Sequence, residues 1–227
     1  MDNERPGQAG GGMGSRTRGR PKQSSDEAQR ERIVAGARDL FLEIGYAATT
    51  MDMVATRCGV SKRTLYRLFP AKLGLFQAMV ADHRRSMLAL PRPEDDLPLD
   101  AALAAIFRLD SGEAVNRARL AFIRLVTTEG ERSPDLREAV MSEAALPSLN
   151  MLADWIARQR ERGRIEVPDA RAAARMLMDM VFGGFVERLP EDRLRTVDDS
   201  VLHARRAIAV FLHGVMPGQG AMPGRRR

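Results

Sequence analysis

Residues 49–72 read TTMDMVATRCGVSKRTLYRLFPAK. The stretch holds two short helical patterns separated by a glycine. Thr49 or Thr50 can cap the first, because a hydroxyl accepts from the free amides of a first helical turn. Asp52, three residues after Thr49, would complete a capping box and favour the positive end of the helix dipole. Met53, Val54 and Cys58 supply an inward face. Gly59 stops the helix, since glycine enters the left-handed conformation without a Cβ penalty. Val60 plugs the turn and Ser61 caps the second helix. Leu65, Leu68 and Phe69 point inward at helical spacing. Lys62, Arg63, Thr64, Tyr66 and Arg67 are left on the outside. Pro70 ends the second helix, because the residue before a proline avoids the helical region. Two short helices, a tight turn and a cationic outer face on the second have the form of a helix-turn-helix. The second helix of that unit enters the major groove of duplex DNA.

The charge of the whole chain points the same way. The net charge is +6 over 227 residues. Residues 1–89 hold 15 Lys and Arg against 9 Asp and Glu, whereas residues 90–227 hold 21 of each. The entire excess therefore lies on the third that contains the helix-turn-helix, which is the electrostatic footprint of a nucleic-acid binder. The three lysines, Lys22, Lys62 and Lys72, all fall in this third. Hydrophobic residues make up 44% of the chain and aromatics 5%, with 13 methionines, a composition that predicts an all-α protein. No apolar run approaches the length of a membrane span, so no membrane partner is expected. A single cysteine allows no internal disulfide and fits a reducing cytoplasm.

Residues 1–23 are rich in glycine, arginine and polar residues and are expected to form a disordered basic arm, with the run Arg16 to Lys22 able to track phosphates. Ser24 and Glu27 make a capping box for a first helix, in which Ile33, Ala37, Leu40, Phe41 and Ile44 recur at helical spacing before Gly45. The DNA-binding unit is thus placed at residues 24–72. A helix from about Ala71 to Leu90 carries Leu75, Phe76, Met79 and Val80 inward. Three prolines in residues 91–98 break it. Helical patterns follow at about 99–109, 112–129, 133–162, 168–189 and 197–214, giving about nine helices in total. Pro147 should kink the long one. Residues 73–214 are expected to form a helical effector-binding and dimerisation domain, and residues 215–227 a disordered tail.

Residues 172–186 are apolar around most of the helix circumference, with only Arg175 and Asp179 charged. A helix of this kind must be covered on most sides. The final helix, with Val201, Leu202, Ala204, Ile208, Phe211 and Leu212, is also broadly apolar. Together they predict a homodimer through the last two helices. Gly183 and Gly184 would allow close approach of the two backbones.

The motif formed by Ile33, Ala37 and Phe41, Gly45-Tyr46, Thr49-Thr50, Val54-Ala55, Gly59-Val60-Ser61, Thr64-Leu65-Tyr66, and Phe69 followed by Lys72 resembles the tetracycline-repressor (TetR/AcrR) family of bacterial transcription regulators. The resemblance covers residues 28–80. It implies phosphate contacts from Thr50, Ser61, Thr64, Tyr66 and Lys72, and base contacts from Lys62, Arg63 and Arg67. Many members have glycine where this chain has Arg63, so the recognition face here is unusually rich in arginine. Arginine pairs with guanine acceptors, which predicts guanine in the operator. The family further implies a dimer on a near-palindromic double-stranded operator and a small-molecule effector that shifts the fourth helix and releases DNA. An architectural DNA-binding protein without an effector is the alternative.

Candidate effector contacts are Phe107, Phe122, Met141, Met151, Trp155, Met176 and Met180, since methionines and aromatics line adaptable pockets. For any one of them ordinary core is the commoner role. Arg119 or Arg124 could meet an acidic ligand, although solvated surface is the expectation for both. His83, His203 and His213 have no metal-ligand spacing. With no phosphate-cradling loop and no nucleophile motif, neither an enzyme nor a cofactor is predicted.

Overall fold

The computed structural model describes residues 23–93, 96–183 and 196–215. Every regular element among them is helical: α1 Gln23–Ala48, α2 Met51–Cys58, α3 Lys62–Leu68, α4 Lys72–Met87, α5 Leu99–Ile106, α6 Glu113–Arg132, α7 Pro134–Val140, α8 Leu146–Glu161, α9 Ala170–Gly183 and α10 Val197–Val215. A π turn at Met141–Ala145 joins α7 to α8. With that path taken as one helix, nine helical segments lie among the described residues. The arm expected at residues 1–23 and the tail expected at 215–227 lie outside them except for Gln23 and Val215, which are helical, and the stretch 184–195 with Gly184 lies outside them as well.

Local chemistry sets the ends of these helices. Gly45 interrupts α1 with a φ of 82°. The break frees the amide of Tyr46, and Glu129 of α6, itself buried, accepts from it at 3.1 Å. The helix already begins at Gln23, so Ser24 stands inside the first turn and is not its cap. Pro147 produces a π turn in place of a plain kink. The amide of Leu146 reaches back to the carbonyl of Met141, and the widened turn accommodates a ring that would strike the i−4 carbonyl of a regular helix.

Two hydrophobic cores result. The first collects Ile33, Ala37, Phe41, Val54, Leu65, Phe69, Leu75 and Phe76 from α1–α4. It also takes in Phe122 of α6 and Leu136 and Ala139 of α7. The second runs from Leu88 through α5 and α8–α10 to Leu212. Ile44 and Met53, expected inside the first core, are exposed at 43% and 38%. Met51 and Ala55 instead flank Val54, which rotates the buried face of α2 by one position.

Arg119 corrects another expectation. It is buried, not solvated. Its guanidinium donates to the carbonyls of Met87, Phe107 and Arg108, at 3.0–3.1 Å, and to the side-chain oxygen of Asn116. Met87 is the last residue of α4, and Phe107 and Arg108 follow α5, so the cation sits at two negative helix ends. Burial still holds its pKa down at about 10. Among the described residues no carboxylate is its hydrogen-bond partner.

Candidate nucleic-acid interface

The helix-turn-helix is assembled by short-range hydrogen bonds. Thr50 caps α2, its hydroxyl accepting from the amide of Met53 at 3.2 Å. Thr49 plays a different part. It is buried, and its hydroxyl donates to the carbonyl of Gly45 at 2.8 Å, which closes the broken end of α1. Asp52 therefore joins no capping box with Thr49 and instead accepts from the Lys62 ammonium at 2.6 Å. Gly59 ends α2 at φ 60° and ψ 37°. Its amide bonds back to α2, and any side chain there would be strained. Ser61 caps α3, accepting from the amide of Thr64 at 3.1 Å, and the two hydroxyls lie 2.9 Å apart. Phe69 ends α3 in an extended conformation ahead of Pro70.

These caps fix which side chains face outward. Leu65 and Leu68 are buried, and Thr50, Ser61, Lys62, Arg63, Tyr66 and Arg67 are exposed. Thr64 and Lys72 are half-buried. The structure brings the eight predicted residues onto α3, the caps beside it and the first turn of α4.

The cations are not equally available. The Lys72 ammonium donates to the carbonyls of Tyr46, Thr49 and Ala47, at 2.7, 2.8 and 3.3 Å. It also sits 4.3 Å from the centre of the Tyr46 ring. Its three hydrogens are used within the chain, and burial lowers its pKa. The bond to Asp52 raises the pKa of Lys62. Arg67 pairs with Asp26 of α1 through both terminal nitrogens, at 2.8 and 2.9 Å. Arg63 has no hydrogen bond or ion pair among the described residues. Arg30 of α1 donates to the carbonyl of Leu68 at 2.6 Å and lies 4.3 Å over the Phe69 ring. Asp26 and Arg30 escape a sequence reading, since each stands about 40 positions from its partner and no spacing rule links them.

Cys58 is half-buried against α1. Its sulfur faces the carbonyls of Arg32 and Ile33 at 3.8 and 3.9 Å. Burial raises its thiol pKa, so the reactive thiolate is disfavoured. Among the described residues no three potential metal ligands cluster. No described helix is long and apolar enough to cross a membrane.

A helix-turn-helix packed on a mostly helical C-terminal region is a recurrent arrangement, and this chain matches a known version of it. The description "Bacterial regulatory proteins, tetR family" fits residues 33–79, and "AefR-like transcriptional repressor, C-terminal domain" fits residues 101–214. The chain belongs to the TetR family. It is similar to an uncharacterised HTH-type transcriptional regulator of Bacillus subtilis, YvkB, with 27% identity over 82% of this chain and 96% of that one. It is equally similar to the HTH-type transcriptional regulator UidR of Escherichia coli K12, at 27% identity over 76% of this chain and 88% of the relative. Among solved structures, the flavonoid-responsive regulator FrrA superposes with a TM-score of 0.59 at 25% identity, covering 85% of this chain and 99% of that one. As a TetR-family member the protein is a DNA-binding transcriptional regulator, from a family whose members dimerise.

The predicted effector residues do not meet in one place. Phe107 and Trp155 are buried in the C-terminal core, with Met180 packed against it. Phe122 lies in the other core, stacked on His83 with ring centres 3.7 Å apart. Met151 is half-buried on α8. Met176 is 63% exposed on α9. Met141, in the π turn, lines a cavity of about 180 Å³ with Ala145, Leu149, Met178 and Phe182, and Arg175 and Asp179 complete the wall.

Proposed function

We propose that this TetR-family protein is a repressor that binds a near-palindromic operator as a homodimer and leaves it when a small molecule occupies the C-terminal region. The observation that carries the reading is the exposed apolar surface of the last two helices. Met176 on α9 and Leu202 and Val210 on α10 are 63%, 45% and 65% exposed. Outward apolar residues on neighbouring helices are what a second copy would cover. In this reading Lys62, Arg63, Thr64 and Tyr66 meet the DNA, with Thr50, Ser61 and Lys72 beside the phosphates and Arg67 flanking them.

The effector would enter beside Met141. The π turn forms one wall of that cavity and also packs on α4. α6 links the two regions, through Glu129 to the break in α1 and through Arg119 to the end of α4. A molecule that wedges the π turn outward would therefore move α4 relative to α6. It releases DNA only if it prefers that shifted state. A regulator working inside the cell on these terms is cytoplasmic.

Sedimentation of the full chain at micromolar concentration, with Met176→Glu and Val210→Glu beside it, tests the interface. Wild type should run as a dimer and the variants as monomers. A monomeric wild type refutes the proposed assembly. Titrating small apolar and aromatic metabolites into the DNA complex tests release, and a complex that none of them dissociates favours an architectural role.

A further inference from the structure

Three cations project from the recognition helix, and among the described residues only one has no partner to give up. Lys62 is bonded to Asp52, and Arg67 is held in a two-point grip by Asp26. Arg63 is exposed and makes no hydrogen bond or ion pair among the described residues. Strength alone does not rank them. An exposed ion pair is weaker than a good arginine–guanine contact, so DNA could displace Asp26. Position is the stronger discriminator. Residues at the start of a recognition helix reach the base edges. Arg63 lies in the first turn of α3 and Arg67 in the last. Arg67 is turned toward the first turn of α1, where Asp26 stands. Moving it into the groove would break the two-point contact that ties α3 to α1. A second contact serves the same end, since Arg30 of α1 bonds the carbonyl of Leu68 at the close of α3. The two contacts together fasten the beginning of α1 to the end of α3.

We propose that Arg63 is the residue of this chain that reads guanine, and that Arg67, gripped by Asp26, is a positioning residue that fixes the recognition helix against α1. The inference rests on the DNA-binding reading of the helix-turn-helix and deepens it. The guanidinium of Arg63 supplies two parallel donors that match the O6 and N7 acceptors of guanine in the major groove. Arg67 would then govern how firmly the helix is presented and not which bases it selects.

Selection from a random duplex pool with the full-length protein tests this. Wild type should enrich a two-fold motif containing a guanine in each half. Arg63→Ala should lose the preference at that guanine alone and weaken binding to the wild-type motif roughly 5- to 150-fold. Arg63→Lys, which keeps the charge but not the fork, should fall between. Arg67→Gln should enrich the same motif as wild type with weaker affinity. Arg67→Lys, which can still pair with Asp26, should regain that affinity to within about twofold, because an ion pair survives the exchange and a two-point guanine contact does not. Asp26→Asn together with Arg67→Gln should weaken binding by less than the two single changes combined, since the two groups are in direct contact. Thermal melts of each variant separate loss of fold from loss of reading. The proposal is overturned if Arg67→Gln and Arg67→Lys both change a selected base while Arg63→Ala leaves the motif intact. A wild-type protein that enriches no motif defeats the DNA-reading account itself, a different result from either.

Discussion

The two cores of the molecule are built differently. The first is mainly local, drawing Phe41, Phe69 and Phe76 from one run of about fifty residues, yet it is closed by Phe122, Leu136 and Ala139 from far along the chain. The second is assembled from Leu88 to Leu212 and is dominated by leucine, alanine and isoleucine. A DNA-reading head that looks independent in sequence thus shares its interior with α6 and α7. Any movement of α6 reaches the head directly, through Phe122 and through Glu129 on the amide of Tyr46. The head's fold is local, but its stability is not.

That contrast is most easily broken at Phe122. Truncation of a buried phenylalanine costs about 3–5 kcal/mol. Phe122→Ala should show this loss in denaturant melts, and hydrogen exchange should accelerate first in α1 and α2. Phe107→Ala, of similar size in the other core, should instead loosen α5. If Phe122→Ala leaves the amides of the head protected, the shared interior is wrong.

Acid should act at the same seam. His83 on α4 is buried against Phe122, with the Ser86 hydroxyl 3.4 Å from its Nδ1. Burial first, then the charges of Arg119 and Arg38, press its pKa down to about 3. The folded imidazole therefore resists a proton that the unfolded chain accepts near pH 6.5. Stability from this source is complete above pH 6.5 and is lost as pH falls toward 3. By pH 5 the loss should be about 2 kcal/mol. His83→Gln should flatten that slope in urea melts between pH 7 and 5. An unaltered slope would place the acid sensitivity elsewhere.

A smaller effect separates packing within the head from packing across the seam. A Cβ added to Gly36 would lie 2.5 Å from the sulfur of Cys58, so the Cys58 side chain or α2 itself must shift. Gly36→Ala should cost about 1–3 kcal/mol, and Gly36→Ala with Cys58→Ala should recover much of it. The smallest expected change is at a cap. Ser61→Ala removes the acceptor for the amide of Thr64 and should cost about 1 kcal/mol, with a wider loss of DNA affinity because α3 is only seven residues long.

Much of the head could be read without coordinates, because its signals are local. The Thr50 and Ser61 caps, Gly59 and Pro70 each act on a neighbour within a few positions. The error on α2 came from phase, since Met51, Met53, Val54 and Ala55 are all apolar and an eight-residue helix offers too few turns to choose among them. Ion pairs were not legible. Nothing at Asp26 marks Arg67 as its partner, and base-reading roles assigned from a motif cannot distinguish a free arginine from a gripped one. Arg119 was hidden for another reason. Its main partners are backbone carbonyls at helix ends, which no residue type advertises. The scattered effector candidates reflect the same limit, since a methionine on an apolar helix is compatible with core, cavity or exposed surface alike.

The most direct measurement is the mass and footprint of the complex between the full-length protein and the duplex it selects. Two chains should occupy one duplex, protecting two half-sites whose centres lie about one helical turn apart, or a whole multiple of it. One chain per duplex, or a single protected half-site, would contradict the account.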